Sequence, residues 1–173
     1  MKRRRLLILN AVLASLLLMV MSTGGALAFQ PPLTALDKTV IDVIPPGPVS
    51  GGETVVYEID FRLSADQKDV KIKDVLRGQI NLDPTSVELC VFILCFPVEV
   101  VKQLDSPCRE DWDFLLGDLP ATELFPYVVV FEATVGANPK KACQTGPRVL
   151  NTATVLTSTG WKGQDTVITP VDP

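Results

Sequence analysis

The chain has 173 residues with 16 Lys and Arg, 20 Asp and Glu, no His, a formal net charge of −4 and 47% hydrophobic residues. Without His the commonest general base and metal ligand are missing, so no Ser-His-Asp or Cys-His triad can form within this chain, and a zinc site would need Cys and carboxylates. The acidic balance argues against a nucleic-acid binder, which presents a basic face.

Residues 1–28 read as a targeting segment. Lys2, Arg3, Arg4 and Arg5 form a basic start, Leu6 to Met21 is an apolar run broken only by Asn10 and Ser15, and Ala26 and Ala28 sit at −3 and −1 of a cut before Phe29. That is the three-part pattern of a secretory signal peptide. An uncleaved anchor is the alternative, although the run is short for a span of about 20 residues. Removing four cations takes the net charge from −4 to −8 and leaves 145 of the 173 residues. The C-terminus, Thr169 to Pro173, reads without a sorting signal or hydrophobic tail.

A Pro-containing leader, 29–35, precedes a domain over 36–173. The spacing predicts a first strand from Leu36 to Ile44, ended by Pro45-Pro46-Gly47-Pro48. Glu53 to Leu63 alternates most clearly, with Val55, Tyr57, Ile59, Phe61 and Leu63 on one face. A third strand runs from Asp69 to Leu76, and one or two more lie in Ser86 to Val101. Asp105 to Thr122, with Pro107, Gly117 and Pro120, reads as irregular, with at most one helical turn near Trp112. Further strands are expected over Tyr127 to Val135, Val149 to Thr157 and Gln164 to Val171. Short strands punctuated by Gly and Pro indicate an all-β antiparallel sandwich.

Cys90, Cys95, Cys108 and Cys143 make an even count in an exported chain, which reads as two disulfides. Three pairings are open; a local Cys90–Cys95 hairpin staple with Cys108–Cys143 is favoured. No C-x₂-C pair supports an all-Cys zinc site or a redox motif.

Three ordered segments carry a resemblance: Leu36-Asp37-Lys38-Thr39-Val40; Gly51-Gly52-Glu53-Thr54-Val55-Val56-Tyr57-Glu58-Ile59 followed by Lys73-Asp74-Val75-Leu76; and Val149-Leu150-Asn151-Thr152-Ala153-Thr154-Val155. Over most of residues 36–157 the set resembles immunoglobulin-like repeat domains of bacterial and archaeal surface proteins, related to the isopeptide-forming domain of Gram-positive fimbrial subunits. The Cys-bearing stretch around 90–122 departs from that pattern. The resemblance implies an immunoglobulin-like sandwich, and it implies that Lys38 and Asn151 could join in an amide assisted by Asp74.

The residues themselves support the same three positions. Lys38 shares strand parity with Leu36 and Val40, Asp74 with Ile72 and Leu76, and Asn151 with Val149 and Ala153. Each polar group is therefore placed on an apolar face, where an unpaired polar group is costly. The plainer readings are a Lys38–Asp74 ion pair, a snorkelling Lys38 or a turn-capping Asn151. Glu58 and Asp60 fall on the polar face of their strand. Glu110, Asp111 and Asp113 beside Trp112 offer oxygen ligands for Ca²⁺, against a solvated acidic turn. Trp161 in Thr159-Gly160-Trp161-Lys162-Gly163 reads as a hairpin tip or a lid on the core.

The functional expectation is a noncatalytic, secreted or cell-surface structural or adhesion module, without cofactor or metal. Its partners would be envelope or extracellular proteins or glycans, and no membrane span remains after cleavage. A carbohydrate- or protein-binding module using loops around Trp112 or Trp161 is the alternative. A hydrolase would need two carboxylates converging in one cleft.

Overall fold

The computed structural model describes residues 49–122, 124–137, 143, 148–160 and 162–172, together with the backbone of Leu33–Ile44. These residues belong to one compact unit, Pro31–Pro173, and contain no helix. The targeting segment 1–28, the junction before Phe29 and Trp161 lie outside the described residues.

The strands are β1 (Leu33–Ile44), β2 (Thr54–Leu63), β3 (Gln67–Arg77), β4 (Ile80–Leu82), β5 (Glu88–Val91), β6 (Leu94–Pro97), β7 (Glu99–Ser106), β8 (Arg109–Leu119), β9 (Tyr127–Val135), β10 (Arg148–Leu156) and β11 (Lys162–Pro170). One sheet runs β1-β2-β9-β5-β6, with β4 also on β9; the other runs β11-β10-β3-β8-β7. Every named pairing is antiparallel. The chain crosses between sheets at Val98, whose N–H bonds the Val87 carbonyl at 3.0 Å. On the opposite side β1 approaches β11.

Strict alternation makes the core. Val55, Tyr57, Ile59, Phe61 and Leu63 of β2 are all fully buried. They meet Ile72 and Leu76 of β3, Phe114 of β8, Val129 and Phe131 of β9, and Val149 and Val155 of β10. Burial of each such side chain is worth about 1.5–3 kcal/mol. Tyr57 stacks on Phe131 at 5.4 Å, and Phe114 meets the same ring edge-on at 5.3 Å. The turn after β3 requires Gly78: its φ is +109°, and a Cβ there would sit 2.7 Å from Val149 Cγ1.

Three expectations need correction. Residues 105–122 are not irregular, and no helical turn forms at Trp112. The stretch is the end of β7 and the whole of β8, which lies between β3 and β7. Its period was hidden because Glu110, Asp111, Trp112, Asp113 and Phe114 are all buried, so no apolar–polar alternation survives in the sequence. The Cys-bearing stretch contributes β5 and β6 to one sheet and β7 and β8 to the other. Ser86 to Val101 holds β5, β6 and the start of β7, one strand more than expected, because the bend at Val98 divides one apolar run between sheets. β1 begins at Leu33, inside the expected leader, because its residues pair with β2 as far as Leu33↔Leu63.

Candidate functional site

Asp74 of β3 and Asn151 of β10 are both fully buried. The register sets Asn151 opposite Leu76, and Asp74 opposite Ala153. The two polar side chains are thus diagonal neighbours on the inward face of one sheet, a relation that brings side chains within mutual reach. Among the described residues, neither Oδ1 nor Nδ2 of Asn151 has a hydrogen-bond partner. The facing sheet contributes Tyr57, whose hydroxyl shares a 3.3 Å hydrogen bond with Thr169 Oγ1 of β11. Burial pushes the Tyr57 hydroxyl well above its ordinary range; the Thr169 bond opposes this and the Asp74 carboxylate adds to it. Asp74, Asn151, Tyr57 and Thr169 thus form a polar pocket within an apolar core. Lys38 occupies the β1 register position opposite Ile59. Its side chain lies outside the described residues.

A second polar group is built along β8. Glu110 faces inward and accepts hydrogen bonds from Leu82 N at 3.0 Å, Trp112 Nε1 at 3.0 Å and Lys102 Nζ at 2.8 Å. Lys102 also lies 4.7 Å from the Trp112 ring centre and 3.2 Å from Asp105. Its hydrogen bond to Glu110 is the main influence raising its pKa. Asp111 faces outward, held by Arg109 Nε and Nη2 at 2.6 and 2.7 Å, with Lys73 Nζ at 3.5 Å. The Arg109 hydrogen bonds hold the Asp111 carboxyl below its ordinary range, against the opposing effect of burial. Asp113 takes Lys71 Nζ at 3.1 Å and Gln103 Nε2 at 3.2 Å. The three carboxylates point to two faces and each is engaged by donors of the chain, so they do not converge on a Ca²⁺ or form a carboxylate pair in one cleft. Trp112 is buried, which removes it as an exposed binding residue.

The outer face of the five-stranded sheet carries a groove of about 530 Å³ lined by Lys73, Arg77, Arg109, Thr152, Thr154 and Gln164, among others. Disulfides join Cys90 to Cys95, across the β5–β6 hairpin, and Cys108 to Cys143, from the β7–β8 turn to the segment before β10.

No protein-family model matches the sequence, and no curated protein matches it. Among solved structures, a variant of the major pilin subunit BcpA of Bacillus cereus superposes with a TM-score of 0.50 at 11% identity, over 82% of this chain and 41% of that one. The collagen-binding subdomain of the Enterococcus faecalis surface protein ACE gives 0.48 at 13% identity, over 80% of this chain and 96% of that one. A backbone pilin of Streptococcus pyogenes gives 0.48 at 15% identity, over 82% and 36%. The fold is an immunoglobulin-like sandwich. The chain spans less than half the length of the two pilin chains it matches.

Within this immunoglobulin-like module, strand parity alone locates Asp74 and Asn151 on the inward face. Tyr57 belongs to the same pocket but reads in sequence as one more core aromatic. Only the approach of β2, β3 and β11 reveals its hydroxyl as a polar member. Glu110 is the other residue the sequence disguises. As the first of a run of acids it reads as solvated, whereas it anchors Leu82, Trp112 and Lys102 from inside.

Proposed function

We propose that this is a noncatalytic, exported structural or adhesion module of the cell surface, hardened by an internal amide between Lys38 Nζ and Asn151 Cγ. The observation that carries the reading is Asn151: a fully buried carboxamide without a hydrogen-bond partner among the described residues, diagonal to buried Asp74. A buried, unsatisfied amide is destabilising unless another role retains it. The proposed amide needs Lys38 as the uncharged amine, which is a nucleophile, and Asp74 as the acid, which can donate to the amide oxygen and carry a proton. The amine attacks Cγ, the C–N bond to Nδ2 breaks, and ammonia leaves. The event occurs once per molecule and ties β1 to β10. The shared fold with pilin and collagen-binding domains, two disulfides and the signal-like leader favour a secreted or surface location. Extracellular proteins or glycans fit as partners.

Intact-mass measurement of exported protein tests the reading. The expected mass starts at or near Phe29, lacks four hydrogens for two disulfides, and lacks one further ammonia that Asp74→Ala restores. A mature mass that retains the ammonia ends the crosslink proposal. The groove beside Lys73, Arg77 and Arg109 supports a second reading, a module that binds acidic glycans or proteins. Glycan-array binding lost on Arg77→Glu would support it.

A further inference from the structure

We infer that the β5–β6 hairpin is a self-association surface, through which its apolar tip packs against the same tip of a second copy. The inference stands apart from the internal amide. At the hairpin tip Phe92, Ile93, Leu94 and Phe96 are 66%, 83%, 60% and 53% exposed, and the neighbouring loop adds Leu124 at 81% and Phe125 at 49%. Residues 89–98 and 124–131 contain no charged side chain. Taking roughly 150–200 Å² per large apolar side chain, the six present on the order of 600 Å² per copy. That exceeds the scattered apolar exposure of ordinary surfaces and approaches the roughly 800 Å² per partner of a standard interface.

The surface is held rigid. Cys90 and Cys95 are joined one register step below the turn, with Cα atoms 4.0 Å apart. Phe92 has a φ of +64°, a conformation costly for a bulky residue, and its ring meets Phe125 edge-on at 4.4 Å. Beside this pair lies a hollow of about 210 Å³ lined by Phe92, Ile93, Phe125, Pro126 and Val128. A protruding apolar tip next to an apolar hollow is self-complementary about a two-fold axis, so each tip can seat in the other copy's hollow.

Among the described residues β6 pairs with β5 alone, and all of its residues are exposed. The edge strand of the other sheet, β7, carries Glu99, Lys102, Gln103 and Asp105, and β11 carries Lys162, Gln164 and Asp165. Such residues blunt edge-to-edge pairing; β6 carries no charge but is four residues long and ends in Pro97, which has no N–H, so its contact with a second copy is made by side chains. Residues 89–98 and 124–131 carry no cation that would draw the tip to an anionic membrane.

Sedimentation velocity of the purified exported protein over a wide concentration range tests the inference. A reversible monomer–dimer equilibrium is expected. Ile93→Lys should weaken dimerisation at least tenfold while leaving the unfolding midpoint and the intact mass unchanged. If Ile93→Lys perturbs folding, Leu124→Lys on the adjoining loop makes the same test. A monomer at every concentration overturns the inference, as does a dimer that both variants leave intact. Binding to phosphatidylcholine vesicles that is lost on Ile93→Lys, without self-association in solution, also overturns it by giving the tip to lipid.

Discussion

Replacing Asn151 by Ala separates the two readings of the interior pocket by the sign of the stability change. Without a crosslink, the wild type carries a buried carboxamide whose polar atoms lack partners among the described residues, a burden of about 1–3 kcal/mol. Truncation removes that burden and leaves a cavity of roughly 50 Å³, worth about 1 kcal/mol. The net effect would then lie between neutral and a stabilisation of about 2 kcal/mol. With the crosslink, truncation also frees a loop of 113 residues (151 − 38). Chain-entropy reasoning sets that loss on the order of 5 kcal/mol. Equilibrium urea unfolding, disulfides intact, reads the difference. At a slope of about 2 kcal/mol per M, the crosslinked case lowers the midpoint by roughly 2 M. Lys38→Ala should produce a similar loss, and the double variant little more, because both remove one bond. An Asn151→Ala protein as stable as the wild type, or more so, refutes the reasoning.

The disulfides should differ in weight. Cys108–Cys143 closes 35 residues and Cys90–Cys95 closes 5, so paired Ser replacements are expected to lower unfolding free energy by about 4 and about 2 kcal/mol respectively; a reversed order in urea titrations would discredit the loop-length argument here. Glu110→Ala leaves the Leu82 N–H, Trp112 Nε1 and the Lys102 ammonium without their acceptor. A loss of about 3 kcal/mol or more is expected, and thermal unfolding with unchanged stability would contradict the assignment. For Asp111, Arg109 lowers the folded-state pKa below the unfolded value of about 3.9. Its contribution is therefore present above pH about 4 and is lost as pH falls through the folded value. The stability gap between wild type and Asp111→Asn should close in acid, and a gap that widens there has the wrong sign.

Much of this molecule was legible without coordinates because strand alternation is local. Val55 to Leu63 of β2, Ile72 to Leu76 of β3 and Val149 to Val155 of β10 each state their inward face by parity alone, and the same parity placed Asp74 and Asn151 inside. The four Cys announced a disulfide framework by count. β8 was illegible for the opposite reason. Its acids are matched by cations of the strands on either side, Lys71 and Lys73 on β3 and Lys102 on β7, as well as by Arg109 on β8 itself, so polarity no longer reports exposure. The meeting of Tyr57, Asp74 and Thr169 across two sheets, and the apolar edge left on β6 when the chain turns at Val98, likewise arise from non-local packing. A period-two pattern records which way a side chain points, whereas its partner is decided only when the two sheets close.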